Sequence, residues 1–162
     1  MGQAFKSDDP NYFSTAPAEL MYARIGGEAM GYRNAVFRMG DDAAENPPTV
    51  VMLYLPPGAV LPRHAHDCHR LEVIVLGSML AEDGTWLHPG DVRTSAPGEF
   101  YGPHIAGPLG VLSVEVFSAA SGVDASFPDD LPPEHRELLA RAAAAVDAFH
   151  RAGISAPSVK TL

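Results

Sequence analysis

The sequence predicts an all-β sandwich or barrel followed by one C-terminal α-helix. Short apolar runs alternate with turn residues through the middle of the chain, and a helical apolar pattern comes after them. Fifteen glycines and fifteen prolines in 162 residues are unusual for a helical protein of this size. We expect an N-terminal arm over 1–19, a β-barrel over 20–127, a helix over 128–153 and a tail over 154–162.

Six runs rich in Val, Ile, Leu, Tyr and Phe are the predicted strands. They are Leu20–Ile25, Tyr32–Met39, Thr49–Leu55, Leu71–Leu76, Val92–Ser95 and Val111–Phe117. Between them lie turn signals, because proline fixes φ and glycine permits positive φ. These signals are Pro56-Pro57-Gly58, Asp83-Gly84, Pro89-Gly90-Asp91, Pro97-Gly98 and Gly107-Pro108. The acidic segment 39–48 is predicted to be a surface loop.

The C-terminal helix is predicted from apolar residues that recur every three or four positions. They are Leu138, Leu139, Ala142, Val146 and Phe149. Asp130 is the predicted cap, Pro132-Pro133 suits the first turn, and Gly153 is the predicted end. The apolar stripe of this helix has to pack on the β body or on a second subunit.

Composition excludes several kinds of partner. Eleven Lys and Arg against twenty Asp and Glu give a net charge of −9, which repels nucleic-acid phosphates. Only two of these cations are lysine, so the chain has no polybasic patch for a membrane surface. The single cysteine, Cys68, and a polar N-terminus without an apolar signal core make the cytoplasm the expected compartment.

Histidines cluster in the middle of the chain, and they carry the chemistry that we expect. His64 and His66 are two residues apart, so on a strand their side chains share one face. Two such imidazoles can chelate one metal, and a third ligand from elsewhere would leave positions open for a substrate. The alternative for a bare His-x-His is two surface histidines in a turn.

The surroundings of these histidines resemble the cupin family. Its first motif is matched by Gly58, His64, His66 and Gly77, and its second by Gly90-Asp91, the run Val92–Ser95, Pro97-Gly98 and His104. The resemblance covers about residues 49–117. It implies a double-stranded β-helix, that is, a jelly-roll or cupin barrel.

The resemblance also implies a metal, but its usual glutamate position holds Arg70. Three ligand sets stay open. The first, which we favour, is His64, His66 and His104, as in cupins that are similar to diketone-cleaving dioxygenases. In the second a β-bulge brings in Glu72, whose alternative role is a salt bridge with Arg70. In the third His69 is the fourth ligand, although it can equally be a turn residue in water.

Two further residues are candidates for the site. Arg70 could bind a substrate carboxylate, or it could pair with Asp67 or Glu72 at the surface. Tyr101 could wall the pocket, or it could be an ordinary core aromatic.

We therefore expect a small metal-binding cupin, with enzyme activity of the dioxygenase type on a small oxygen-rich molecule. Fe(II) is the favoured metal, and Zn, Ni, Mn or Cu are possible with imidazole ligands. The alternatives are an isomerase or lyase on the same metal, a non-catalytic sensor or carrier, and a metal-free cupin in which histidines act as acid and base. A homodimer is expected, because small barrels leave sheet edges and an apolar helix stripe to cover.

Overall fold

The computed structural model describes residues 4–40 and 44–152. In this part of the chain the strands are β1 (Arg33–Arg38), β2 (Thr49–Leu55), β3 (Val60–Leu61), β4 (Ala65–His66), β5 (Arg70–Leu80), β6 (Trp86–Leu87), β7 (Val92–Ser95), β8 (His104–Phe117) and β9 (Ala125–Ser126). The α-helices are α1 (Met21–Ala29) and α2 (Pro133–Arg151), and short 3₁₀ helices lie at Tyr12–Ser14, Ala18–Leu20 and Ala120–Val123.

The main sheet is antiparallel, and strands that are distant in the sequence lie side by side in it. Its order is β1-β2-β8-β5-β6, with β3 paired to β8 and β7 paired to β5, while β4 and β9 form a separate pair. Such non-local antiparallel pairing is typical of Greek-key and jelly-roll folds. The predicted all-β jelly-roll class with a C-terminal helix is confirmed.

Two long strands carry most of the sheet. β8 pairs with β2 and β5 along most of its length, and β5 contains register shifts between Ile74 and Leu76 and between Gly77 and Met79. On β2, buried and half-buried residues alternate strictly. This alternation divides the sheet into an inner face and an outer face.

The predicted strand Leu20–Ile25 is wrong, because this segment forms the end of a 3₁₀ turn and the first half of α1. The segment is rich in Ala, Leu, Met and Arg, which favour helices. Met21 and Ile25 are also four residues apart, so both lie on one helical face. The turn predicted at Gly107-Pro108 is wrong too, since β8 continues through it.

The predicted C-terminal helix is confirmed, with different ends. Its N-cap is Pro132 and no side chain caps it, so Asp130 does not have the predicted role. Its apolar side packs on α1, where a Cβ placed on Gly26 would lie 3.7 Å from Val146 and 3.8 Å from Ala142. The small residue thus allows the helices to come close together. Gly153 and the predicted tail lie outside the described residues.

No helix in the described ranges is both long enough and apolar enough to cross a lipid bilayer.

Candidate functional site

A cavity of about 740 Å³ lies between the inner face of the sheet and the two α-helices. Its walls are mostly apolar: Met30 comes from α1, Val146 from α2, and Leu53 from the sheet. His64, His66 and Glu115 form its buried polar part. A largely apolar cavity with a few polar groups is the usual form of a site for a small molecule.

His64 is held rigidly at the edge of this cavity. Its backbone exchanges two hydrogen bonds of 3.0 Å with Tyr101, and its side chain is only 4% exposed. The ring Nδ1 lies 2.7 Å from the carbonyl oxygen of Pro62. A carbonyl can only accept, so Nδ1 carries the proton and donates it, which leaves Nε2 with a lone pair.

The ring of His66, on β4, is also fixed by a hydrogen bond from Nδ1 to a backbone carbonyl. Its Nδ1 donates to the carbonyl oxygen of Asp124 at 3.2 Å, just before β9, and the side chain is 6% exposed. The rings of His64 and His66 have centroids 5.0 Å apart and are nearly perpendicular at 89°. The predicted pair is therefore buried side by side, and the alternative of two surface histidines in a turn is excluded.

Both imidazoles are neutral near pH 7. Burial lowers the pKa of His64 well below its usual value, and His66 lowers it further. Burial also lowers the pKa of His66, although the Glu115 carboxylate raises it. Of the two rings, His66 is thus the one whose protonated form has a nearby carboxylate to stabilise it.

Beside the histidines, Arg70 joins two carboxylates in a buried ion cluster. Its Nη2 donates to Glu115 Oε1 and lies 2.9 Å from Glu72 Oε2, with 1% side-chain exposure for both Arg70 and Glu72. The contact with Glu72 is an ion pair only, since neither oxygen of Glu72 has a hydrogen-bond partner in the described ranges. The predicted pairing with Glu72 is therefore present, but it is buried rather than at the surface.

Arg70 does not line the cavity, and its guanidinium contacts carboxylates and a ring instead. The guanidinium carbon lies 4.6 Å from the centroid of the Tyr101 ring, which is cation–π distance. The structure thus does not present Arg70 as a binding group for a substrate carboxylate.

Tyr101 belongs to the buried layer behind the cavity. Its ring centroid is 4.5 Å from that of His64 and 5.5 Å from that of His104, and the rings of Tyr101 and His104 are stacked at 22°. Burial raises the pKa of its hydroxyl, which has no hydrogen-bond partner among the described residues. Of the two predicted roles, a buried aromatic describes it better than a pocket wall.

His104 begins β8 and is completely buried, but it faces a different partner. Its Nε2 accepts a hydrogen bond from Arg93, whose other Nη atom donates to Glu82 at 3.0 Å. Glu82 Oε2 lies 3.3 Å from Nε2, but an accepting nitrogen cannot also donate to it. Burial lowers the pKa of His104 to about 4.

These positions decide how well the predicted metal ligands fit a metal. His64 and His66 fit, because metal-binding histidines commonly donate the other ring N–H to a carbonyl. His104 does not fit, since its Nε2 lone pair is occupied by Arg93. His69 is exposed, and within residues 4–40 and 44–152 no three or more His, Cys, Asp or Glu side chains form a metal-binding group. The three-histidine set is thus not assembled.

Glu115 and Arg93 contact buried polar groups of the site but were not predicted from the sequence. Glu115 is an acidic residue within the apolar run Val111–Phe117, and that interruption was a usable signal. The register places Glu115 and Arg93 on either side of Glu72, on β8 and β7. Arg93 had no comparable signal, because its role depends on a strand pairing.

The first histidine-bearing motif runs from the turn before β3 into β5, and the second runs from the turn before β7 to the start of β8. The pairing of β5 with β7 and β8 brings the two motifs together. The chain thus has the non-local antiparallel pairing of a jelly-roll fold, which is the architecture that the sequence resemblance implies.

No protein-family model matches this chain, and no curated protein matches it. Among solved structures it is similar to the complex of Rhodobacter sphaeroides SigE with the anti-sigma ChrR, at 19% identity and a TM-score of 0.45, over 54% of this chain and 45% of that one. It is similar to an RmlC-like cupin from Shewanella frigidimarina at 22% identity and a TM-score of 0.47, over 56% and 78%. It is also similar to a variant of Bacillus subtilis oxalate decarboxylase at 19% identity and a TM-score of 0.48, over 56% and 26%.

The chain thus spans less than half of the matched SigE–ChrR chain and about a quarter of the decarboxylase. At these identities and TM-scores the likeness concerns the fold, and the activities in those names belong to those proteins.

Proposed function

We propose that this protein is a cupin that binds a small organic molecule with an apolar body and one polar end, and that its His66 moves a proton at that end. The observation that carries the proposal is the pair of buried, neutral imidazoles with lone pairs on Nε2 at the side of a mostly apolar cavity. The cavity wall favours an apolar body over the oxygen-rich molecule that the sequence predicts.

His66 is the base in this proposal. Its Nε2 takes a proton from the bound molecule, and the resulting imidazolium keeps its Nδ1–H bond to the Asp124 carbonyl. The Glu115 carboxylate stabilises the added charge. His64 orients the polar end, since protonation of its ring is opposed by burial, His66 and Arg70. Abstraction of a proton beside a carbonyl, as in isomerases and lyases, is the reaction class that these groups support, since the new Nε2–H of the His66 imidazolium balances the negative charge left on the bound molecule.

The test uses 2-hydroxyacetophenone, which has an apolar ring, a hydroxyl group and acidic protons beside a carbonyl. Binding is followed by calorimetry, and deuterium incorporation at its CH₂ group in D₂O by NMR. We expect binding and protein-dependent exchange, with exchange lost in His66→Gln and retained in His88→Gln, which alters an exposed histidine.

A cavity-filling variant is the structural control. Val146→Trp is expected to remove both binding and exchange, whereas Leu109→Trp, at a position 85% exposed, leaves both unchanged. Binding without exchange contradicts the catalytic part of the proposal and favours a carrier or sensor. Absence of binding contradicts the whole proposal.

A metal-dependent oxidoreductase of the dioxygenase type is the second candidate. The observation that favours it is the anchoring of both Nδ1 atoms, which leaves the Nε2 atoms of His64 and His66 as two ligands for Fe(II), Zn, Ni, Mn or Cu. Such a metal would supply a Lewis acid and, in the case of Fe(II), a centre that reacts with dioxygen.

Metal analysis of protein purified without an affinity tag tests this candidate. About one equivalent of metal, lost in His64→Ala and in His66→Ala, supports it. Retention of the metal in His104→Ala would follow from the contact between His104 and Arg93, whereas the sequence motif predicts its loss. Substoichiometric metal that none of these changes affects contradicts a metal site here.

A further inference from the structure

The buried polar part of the cavity presents hydrogen-bond acceptors. His64 and His66 are 4% and 6% exposed, and both line the cavity. Their Nδ1 protons are used by backbone carbonyls, so each Nε2 can only accept. Glu115, the third polar group there, is 6% exposed and accepts as well. A ligand that fits these three groups therefore has to donate.

The charges around the cavity also favour a ligand that donates hydrogen bonds. Its lining residues include the buried Glu115 and the exposed Asp124 and Asp147, and none of them in the described ranges is a lysine or an arginine. Arg70, which contacts Glu115, also faces Glu72, so one guanidinium is shared by two carboxylates. The site thus favours positive charge and disfavours a carboxylate.

We propose that the cavity selects an apolar amine, bound as the ammonium ion, and rejects carboxylates of the same shape. The three N–H groups of an ammonium ion match the three acceptors, namely Nε2 of His64, Nε2 of His66 and the carboxylate of Glu115. This inference rests on the proposed function, because it names the ligand class of the same cavity.

Three compounds with one apolar body test this selectivity: 3-phenylpropylamine, 3-phenylpropan-1-ol and 3-phenylpropanoate. Each is titrated into the wild-type protein at pH 7 by calorimetry, at low and at physiological salt. We expect the amine to bind at least tenfold more tightly than the alcohol, and the carboxylate to bind most weakly. Equal affinities, or tighter binding of the carboxylate, would overturn the inference and leave the proposed binding function intact.

The variant Glu115→Gln keeps the shape of the side chain and removes its charge. We expect it to reduce the preference for the amine over the alcohol by about tenfold, with little effect on the alcohol. An undiminished preference in the folded variant also overturns the inference. If this variant does not fold, the wild-type comparison still decides. Failure of all three compounds and of 2-hydroxyacetophenone contradicts the proposed function itself.

Discussion

Arg70 is a buried charged residue that contacts two buried carboxylates. Its guanidinium holds Glu72 and Glu115 inside the sheet and lies over the ring of Tyr101. Burial of a charge is costly unless it is paired, and removal of one partner leaves the others uncompensated. The cluster therefore fixes Glu115 at the cavity, and its stability depends on the one cation at its centre.

The substitution Arg70→Met tests this dependence. It leaves two carboxylates buried beside an apolar side chain, and we expect a loss of about 3–5 kcal/mol in the free energy of unfolding by urea. The control is Arg24→Met, which breaks a pair with the half-exposed Glu28 and is expected to cost at most about 0.5 kcal/mol. Similar losses in the two variants would contradict the assigned role of Arg70.

His104 makes stability depend on pH. In the folded protein it stays neutral down to its lowered pKa of about 4, while the unfolded chain takes up this proton near pH 6.5. Between these two pH values the unfolded state binds more protons than the folded state. The free energy of unfolding therefore has its full value above about pH 6.5 and decreases as the pH falls. At about 1.4 kcal/mol per pH unit, the neutral state of His104 lowers the free energy of unfolding by about 2 kcal/mol at pH 5 relative to pH 7.

Urea unfolding at pH 7 and pH 5 measures this contribution. In His104→Gln, the stability difference between the two pH values is expected to be smaller by about 2 kcal/mol than in the wild type. The exposed control His88→Gln keeps the wild-type difference. An unchanged difference in His104→Gln contradicts the buried, neutral state of His104.

At the scale of elements, the pairing of β5 with β8 requires a glycine at position 77, where the register between the two strands shifts. Gly77 has a φ of +75°, and a Cβ there would lie 2.0 Å from the carbonyl oxygen of Gly110 on β8. The glycine thus permits both the positive φ and the close approach of the two long strands. Because β5 carries Arg70 and Glu72 and β8 carries Glu115, the pairing of these strands brings the buried ion cluster together.

Gly77→Ala and Gly84→Ala separate these two effects. Gly84 has a φ of +84° with nothing within 4 Å of its Cβ position, so its substitution costs only the backbone strain, about 1–2 kcal/mol. Gly77→Ala adds a clash with backbone and is expected to cost about 1–3 kcal/mol more in thermal or urea unfolding. Equal costs would contradict the close approach at Gly77.

The sequence predicted elements well where the pattern is local. The predicted bounds of Thr49–Leu55 and Val92–Ser95 are those of β2 and β7. The predictions failed where tertiary context decides: β8 runs through Gly107 and Pro108, which locally indicate a turn. In the site, the spacing of His64 and His66 predicted a shared face, and the resemblance to the cupin family predicted that the pair belongs to a site. The contact of His104 with Arg93 was not predicted, because it depends on how β5 brings β7 and β8 together.

At the scale of the whole molecule, the outer face of the sheet is apolar although the inner face carries the ion cluster. Residues that share the outer face through the strand register are Val50, Met52, Leu71, Val73, Val92, Val114 and Val116. Leu71 is 38% and Val92 55% exposed. An apolar stretch of this kind commonly marks a protein–protein interface. The homodimer expected from the sequence stays a prediction, and this face is where we place it.

The double substitution Leu71→Glu and Val92→Glu tests this interface. We expect light scattering after gel filtration to give the mass of a dimer for the wild type and of a monomer for the double variant, because charges are costly in an apolar interface. The control Phe100→Glu alters a 40% exposed residue in the loop between β7 and β8, outside the strand register of this face, and should remain dimeric. A monomeric wild type at micromolar concentration would contradict the prediction.

The most direct measurement of the central claim is a long-range ¹H–¹⁵N NMR spectrum of the histidine side chains, recorded from pH 7 to pH 5 and with the amine added. We predict the Nδ1–H tautomer for both His64 and His66 at pH 7, and for His64 throughout this range, because burial lowers both pKa values and that of His64 well below its usual value. Addition of 3-phenylpropylamine should shift both Nε2 signals. Titration of both rings near pH 6.5, or Nε2 signals that no ligand alters, would contradict a binding site built on two neutral imidazoles.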